Sequence, residues 1–383
     1  MSAVRICLVA GEPSGDALGA QLIRALRARI PDAQCVGIGG PRMIAAGLDC
    51  WHPQEALAVR GLVEVLRHLR RILKIRRALL QRLASEPVDV YVGIDAPDFN
   101  LPVERVLKAR GTPTVHYVGP TVWSWRRGRL PGIRQSVTRM LVLFPFEQQV
   151  FEQAGIATRF VGHPLAEAQP PTATRAAARE QLRLTESAPV FALLPGSRRS
   201  EIEMMAPALI DAARRIHAAR PDSLFLVPFI TRETRDVFEA CIWRMDARDL
   251  PLRLLFGHAR EALAAADIGL VTSGTATLEA ALLGCAMVIT YRLSPLTFAI
   301  LKRLARARAI GLPNILLGEF VVPELIQNEA TGANLAQVAL NLLADPALRV
   351  RLGGRFEVLR QMLYRDSDHL AASAVIECLP APR

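Results

Sequence analysis

Short runs of consecutive apolar residues alternate along the chain with longer stretches in which apolar positions recur every three or four residues. In the first half, the run 4–10 precedes the helix-period stretch 15–28, the run 88–94 precedes 103–109, and 114–118 forms a third run. A run that is apolar on both sides of the pleat suits a strand buried on both faces, and the helix-period stretch after it supplies a parallel crossover. The rhythm restarts at 191–194, 224–228, 268–271 and 287–290. The pattern therefore predicts an α/β chain with two doubly wound, Rossmann-like parallel sheets. The segment 163–175 is rich in Pro, Ala and Thr and carries no apolar period, so the hinge is expected there. We divide the chain into residues 1–168, 169–350 and a C-terminal helical segment, 351–383, whose crossing back to the first domain is left open.

Composition agrees with two domains: 383 residues with 51% hydrophobic content exceed what one core usually organises. No apolar stretch reaches the roughly 18 residues that a spanning helix needs, and the opening apolar run ends in a Gly/Pro turn, unlike a signal peptide. The six cysteines are far apart and form no CxxC pair, which suits reduced core residues of a cytoplasmic protein. Lys plus Arg (47) exceed Asp plus Glu (36), and the net charge of +11 favours anionic partners without choosing among them.

Open parallel sheets bind ligands at the carboxyl ends of their strands, and four turns there carry candidate chemistry. The first holds Gly11, Glu12, Ser14, Gly15 and Asp16, where small residues let backbone approach a ligand at a helix start. It matches neither the dinucleotide fingerprint nor the phosphate-loop lysine motif. The second places Asp95 and Asp98 after a strand, where one carboxylate can act as a general base; the competing reading has Asp98 capping the next helix. The third, Gly196-Ser197-Arg198, aims a guanidinium fork suited to a diphosphate, or simply carries a surface arginine. The fourth, Ser273-Gly274-Thr275-Ala276-Thr277, opens a helix with free amides and hydroxyls, and Glu279 lies one turn in, placed for a ribose diol. As a plain helix cap it would also make sense. No DxD-like pair occupies a suitable turn, so no metal and no cofactor are expected.

These strings together resemble a known family. The segments 9–16, 92–100 and 116–125, continuing through 193–198, 273–279, Tyr291-Arg292 and Leu312-Pro313-Asn314, are similar to those of the lipid-A-disaccharide synthase family of GT-B glycosyltransferases, over nearly the whole chain. Pro13 and Gly119 depart from the family pattern in ways that leave the chemistry intact. The resemblance implies two Rossmann-like domains facing a cleft. It also implies transfer of a diacylglucosamine from UDP to diacylglucosamine 1-phosphate (lipid X), with inversion, to give a β-1,6-linked disaccharide. Asp95 would be the base. Arg198, Gly196, Ser197, Gly257 and residues 273–277 would hold the nucleotide, Glu279 the ribose, with Tyr291 and Asn314 completing the donor side. Gly11, Glu12, Ser14, Gly15, Asp16 and Asp98 would line the acceptor side.

A lipid substrate gives weight to the stretch 61–83. Its apolar positions, among them Leu62, Val65, Leu66, Leu69, Ile72 and Leu73, fall on one helical face, and Arg67, Arg70, Arg71, Lys74, Arg76 and Arg77 fill the rest. Such a helix either packs on a core or lies on the cytoplasmic surface of the inner membrane as a peripheral anchor, and the expectation here is the anchor. Trp123 and Trp125, with Arg126, Arg127 and Arg129 after them, could add to that surface or pack under a loop. Two rivals remain: a UDP-sugar epimerase of the same fold, which needs no acceptor, and a nucleic-acid-binding protein. The second is disfavoured because the basic residues interleave with aliphatic side chains and aromatic content is only 5%. A homo-oligomer is left open.

Overall fold

The computed structural model describes residues 3–54, 57, 62–122, 127–167, 175–294, 298 and 309–380, with backbone alone for 62–69. The chain forms two compact units, residues 1–167 with 363–383, and residues 168–362.

The first unit carries a seven-stranded sheet. Its strands are β1 (Arg5–Ala10), β2 (Gln34–Gly39), β3 (Asp49–Pro53), β4 (Val90–Ile94), β5 (Thr114–Tyr117), β6 (Arg139–Val142) and β7 (Thr158–Phe160), in the order β3-β2-β1-β4-β5-β6-β7. Every pairing is parallel. β1 and β4 are buried along nearly their whole length because helices cover both faces of the sheet, which accounts for their unbroken apolar runs. On one face, Leu22, Ile23 and Leu26 of the helix Pro13–Arg29 join Ile6, Leu8, Val92 and Ile94. The last helix of the chain, Ser367–Ile376, adds Ala371, Ala372, Ala374 and Val375 to that core. On the other face, Leu79 and Leu83 of the helix Leu62–Ser85 pack with Cys7, Val9, Tyr91 and Phe99.

The second unit repeats the plan with six strands, β8 (Val190–Leu194), β9 (Leu224–Phe229), β10 (Leu252–Phe256), β11 (Ile268–Thr272), β12 (Ala286–Tyr291) and β13 (Glu324–Ile326), in the order β10-β9-β8-β11-β12-β13. These pairings are also parallel.

In each sheet the strand order reverses once, between β1 and β4 in the first and between β8 and β11 in the second. Connections diverge to opposite faces at such a reversal and leave a crevice at the carboxyl ends of the two central strands. The Gly11 and Asp95 turns follow β1 and β4, and the Gly196 and Ser273 turns follow β8 and β11. All four turns singled out in the sequence therefore stand at the two reversal points. Part of the expected hinge, residues 168–174, lies outside the described residues, as do Trp123, Trp125 and Arg126.

Candidate active site

At the first reversal point, Gly11 brings the helix Pro13–Arg29 close to the β4 turn: a Cβ there would lie 3.2 Å from the Ala96 Cβ, and one on Gly15 would lie 3.3 Å from the Ala10 Cβ. Ser14 is exposed in the first helical turn. Asp16 is not available to a ligand. It is buried, and its carboxylate accepts hydrogen bonds from the backbone N–H groups of Gly40 (2.8 Å), Met43 (3.0 Å) and Arg42 (3.1 Å). The expected acceptor contact of Asp16 thus gives way to a cap on the short helix Pro41–Ala45, which satisfies N–H groups that a helix start leaves unpaired.

Asp95 and Ala96 both take left-handed backbone conformations, with φ of 52° and 43°. Val118, just past the neighbouring β5, does so as well at 79°. For residues with a side chain this costs on the order of 1–3 kcal/mol each and persists only where the surroundings impose it, most often at functional sites. The Asp95 side chain is half-buried and has no hydrogen-bond or ion-pair partner among the described residues. Asp98 neither caps its helix nor shares this crevice position: Ala96 holds the N-cap, and Asp98 is exposed and paired with Arg129 at 2.7 Å.

Behind the Asp95 turn lies a buried polar layer that sequence reasoning missed. Asn100 donates from Nδ2 to the carbonyls of Asp95 (2.8 Å) and Val9 (3.3 Å) and accepts from the Tyr91 hydroxyl (2.8 Å). Glu104 accepts from or donates to His116 Nδ1 at 2.7 Å, both fully buried. Burial pushes the Glu104 carboxyl above its usual range, and His116 pulls it the other way.

At the second reversal point, Gly196 (φ 117°) makes the turn, and Glu201 fixes it by accepting from the N–H groups of Ser197 (3.0 Å) and Arg198 (3.2 Å). A carboxylate three residues past Arg198 was the available sequence signal for that brace. The Arg198 guanidinium touches Glu201 at 3.2 Å yet stays 62% exposed, so most of its donors face outward. Across the reversal, Gly274 (φ 150°) opens the helix Thr275–Leu282, and the N–H groups of Gly274, Thr275 and Ala276 have no acceptor among the described residues. Ser273 and Thr277 turn their hydroxyls inward, to the carbonyls of Ile310 (2.9 Å) and Gly274 (2.8 Å). Amides, rather than these two hydroxyls, are what the helix start offers an anion.

Glu279 is mostly buried and lies 3.6 Å from the Arg260 guanidinium; burial raises its pKa and Arg260 opposes the rise. Tyr291 ends β12 in the field of Glu201 and Arg198, and burial raises its phenol, which stays protonated. Asn314 is spent inside the protein: Nδ2 donates to Val322 O and to Glu324 at 2.8 Å each, and Oδ1 accepts from Val321 and Val322. Its direct donor contact is therefore replaced by a structural role. Glu324, absent from the expected site, holds the N–H groups of Ile310 and Gly311 at 2.9 Å each and so ties that loop to Ser273. Gly257 (φ 73°) follows Phe256, which is 62% exposed beside Ile230 at 65%, an apolar pair at the ends of β10 and β9.

On the helix Leu62–Ser85, the expected lipid-facing stripe divides. The side chains of Leu62, Val65, Leu66 and Leu69 lie outside the described residues. Ile72 packs against the core, as do Leu79 and Leu83, whereas Leu73 is 41% exposed. Ile72 is thus a core contact. No helix among the described residues is long and apolar enough to cross a membrane, and no group of three or more His, Cys, Asp or Glu could hold a metal ion there.

A family model for lipid-A-disaccharide synthetase matches residues 6–372. The chain belongs to the lipid-A-disaccharide synthase family. A member from Chromobacterium violaceum is 50% identical over 375 residues, covering 98% of this chain and 97% of its own, and one from Methylobacillus flagellatus is 48% identical over 371 residues, covering 97% and 98%. Membership makes the chain a glycosyltransferase of lipid A biosynthesis, with a UDP-sugar donor and a lipid acceptor. Solved structures of similar fold include UDP-GlcNAc 2-epimerase from Neisseria meningitidis bound to UDP-GlcNAc (TM-score 0.64, 11% identity, 98% of this chain and 99% of that one). Acinetobacter baumannii MurG is another (TM-score 0.59, 14% identity, 98% and 99%). At such identities the family shares their fold, two Rossmann-like units of the GT-B class.

Proposed function

We propose that the protein transfers 2,3-diacylglucosamine from UDP to the 6-hydroxyl of 2,3-diacylglucosamine 1-phosphate (lipid X) with inversion, giving the β-1,6-linked disaccharide and UDP. The observation that carries this reading is Asp95, a carboxylate without a partner among the described residues, held in a strained turn at the reversal point of the first sheet. In the reaction the acceptor oxygen attacks the anomeric carbon and its proton passes to Asp95. The bond from that carbon to the diphosphate breaks, and its electron pair leaves with UDP. Arg198 and the amides of Gly274, Thr275 and Ala276 stabilise the charge that develops on the diphosphate. Glu279 takes the ribose hydroxyls, Tyr291 and the Gly257 turn complete the donor side, and Gly11, Ser14 and Gly15 leave room for the acceptor at the first reversal point. Asn314 contributes by shaping its loop.

The exposed Leu73, with Arg76, Arg77 and Lys74 on the same helix, supports docking of the helix Leu62–Ser85 on the cytoplasmic surface of the inner membrane, where Leu62, Val65, Leu66 and Leu69 would enter the lipid. The test is product formation from the defined donor, with and without the acceptor. Disaccharide and UDP should form only with both substrates, and Asp95→Asn should lower turnover by about 100-fold or more while UDP affinity holds. Conversion of the donor without acceptor would favour the epimerase reading instead.

A further inference from the structure

The left-handed pair Asp95-Ala96 needs a cause, because aspartate tolerates φ of 52° better than most residues but nothing in alanine favours 43°, and two such residues in succession are unusual. Backbone hydrogen bonds supply part of it: Asp95 N–H donates to Tyr117 O at 2.8 Å, and the Ala96 carbonyl accepts from Phe99 and Asn100 N–H groups at 2.9 and 3.0 Å. These bonds leave the Asp95 carbonyl free to rotate away from the sheet. What stops it is one side chain. Asn100 sits in the first turn of the helix Pro97–Ala109, fully buried, and its amide reaches back to the Asp95 carbonyl while also gripping Val9 at the end of β1.

The amide itself is held in one orientation. Tyr91 donates its hydroxyl to Oδ1, which forces Nδ2 towards the two carbonyls. Space for this arrangement comes from Gly93 on β4, where a Cβ would collide with the Glu104 carboxylate and stand 2.8 Å from the Asn100 Cβ. All the hydrogen-bonding capacity of the Asn100 amide that faces the turn is thus used to link β1, β4 and the strained peptide.

We propose that Asn100 is a positioning residue, which with Tyr91 as its orienting partner locks the left-handed turn and thereby aims the Asp95 carboxylate. The inference rests on Asp95 acting as the base. A base displaced by about 1 Å can lose roughly 100-fold in rate while remaining present.

The test is a steady-state analysis of Asn100→Ala and Tyr91→Phe, each also combined with Asp95→Asn. Asn100→Ala should lower kcat by about 100-fold with KM for the donor and UDP affinity near wild type. Tyr91→Phe keeps the ring in its cavity and should remain folded, lowering kcat by roughly 10-fold. In the Asp95→Asn background neither change should lower kcat further, because the group they aim is gone. Loss of kcat that adds in full to that of Asp95→Asn would overturn the proposal, since Asn100 and Tyr91 would then act through something else. So would unchanged kcat in a folded Tyr91→Phe protein when Asp95→Asn is inactive. If Asp95→Asn itself retains turnover, it is the assignment of the base that fails.

Discussion

Glu104 and His116 meet at 2.7 Å between a helix and β5 of the first unit, with neither side chain reaching solvent. Each also keeps one polar atom, Glu104 Oε2 and His116 Nε2, without a partner among the described residues. Removing one member strands the other. We expect Glu104→Ala to lower the unfolding free energy by about 3–5 kcal/mol, as happens when one half of a buried pair is lost. The paired change Glu104→Leu with His116→Phe should recover part of that loss. Urea denaturation of the three proteins checks both statements, and a single variant as stable as wild type would show that the pair contributes nothing.

Arg198 stands at the end of a turn braced by Glu201, with most of its guanidinium exposed. Arg198→Ala should weaken UDP binding by about 1.5–3 kcal/mol, the range for lost charge-assisted hydrogen bonds. Arg198→Lys should restore only part of it, because an ammonium cannot make the two-pronged contact. Calorimetric titration with UDP decides the matter; equal affinities in all three proteins would remove Arg198 from the site.

His163 is buried next to the Phe144 ring, and its Nδ1 accepts from Leu165 N–H at 3.2 Å. Burial lowers its pKa from the ordinary 6.5 to about 4. The unfolded chain therefore binds the proton first. Stability from this residue is fully present above pH 6.5 and declines as pH falls towards 4, by roughly 3 kcal/mol across the window. His163→Phe should flatten that part of the stability profile. Unfolding curves between pH 4 and pH 7 that keep the same slope in the variant would assign the effect elsewhere.

For the helix Leu62–Ser85, serine at Leu66, Leu69 and Leu73 separates lipid contact from core packing. With lipid contact, the triple variant keeps a Tm close to wild type and floats less with anionic liposomes. Binding by the unchanged protein should weaken as salt shortens the Debye length from about 10 to about 3 Å, because Arg70, Lys74 and Arg77 share the work. A folded variant that floats as well as wild type would end the docking role. Core packing would show instead as a loss of several kcal/mol, about 1.5–3 kcal/mol for each large aliphatic side chain.

The strands at the two reversal points were legible because both of their faces are covered, so their apolar runs are unbroken. β10, with Arg253 in its centre and an exposed end, gave no such run. Asp16 and Asn314 show why site chemistry is harder to read. A carboxylate in a strand-end turn looks the same in sequence whether it awaits a ligand or caps a helix, and the groups that occupy Asp16 begin at Gly40, 24 residues away. The partners of Asn314 lie 7–10 residues downstream, beyond any local motif. Period alone likewise could not divide the stripe of the helix Leu62–Ser85, since a core and a bilayer ask for the same spacing.

The helix Ser367–Ile376 fills the same core as β1 and the helix Pro13–Arg29, and Arg29 donates to Ser373 at 2.6 Å. A core begun by β1 is thus completed by a segment that follows the whole second unit in the chain. Until the second unit has been made, the side of the helix Pro13–Arg29 that faces Ala371, Ala372 and Val375 lacks its neighbour, although its sheet-facing side is already packed, so loss of the segment 367–376 would damage the first unit rather than the second.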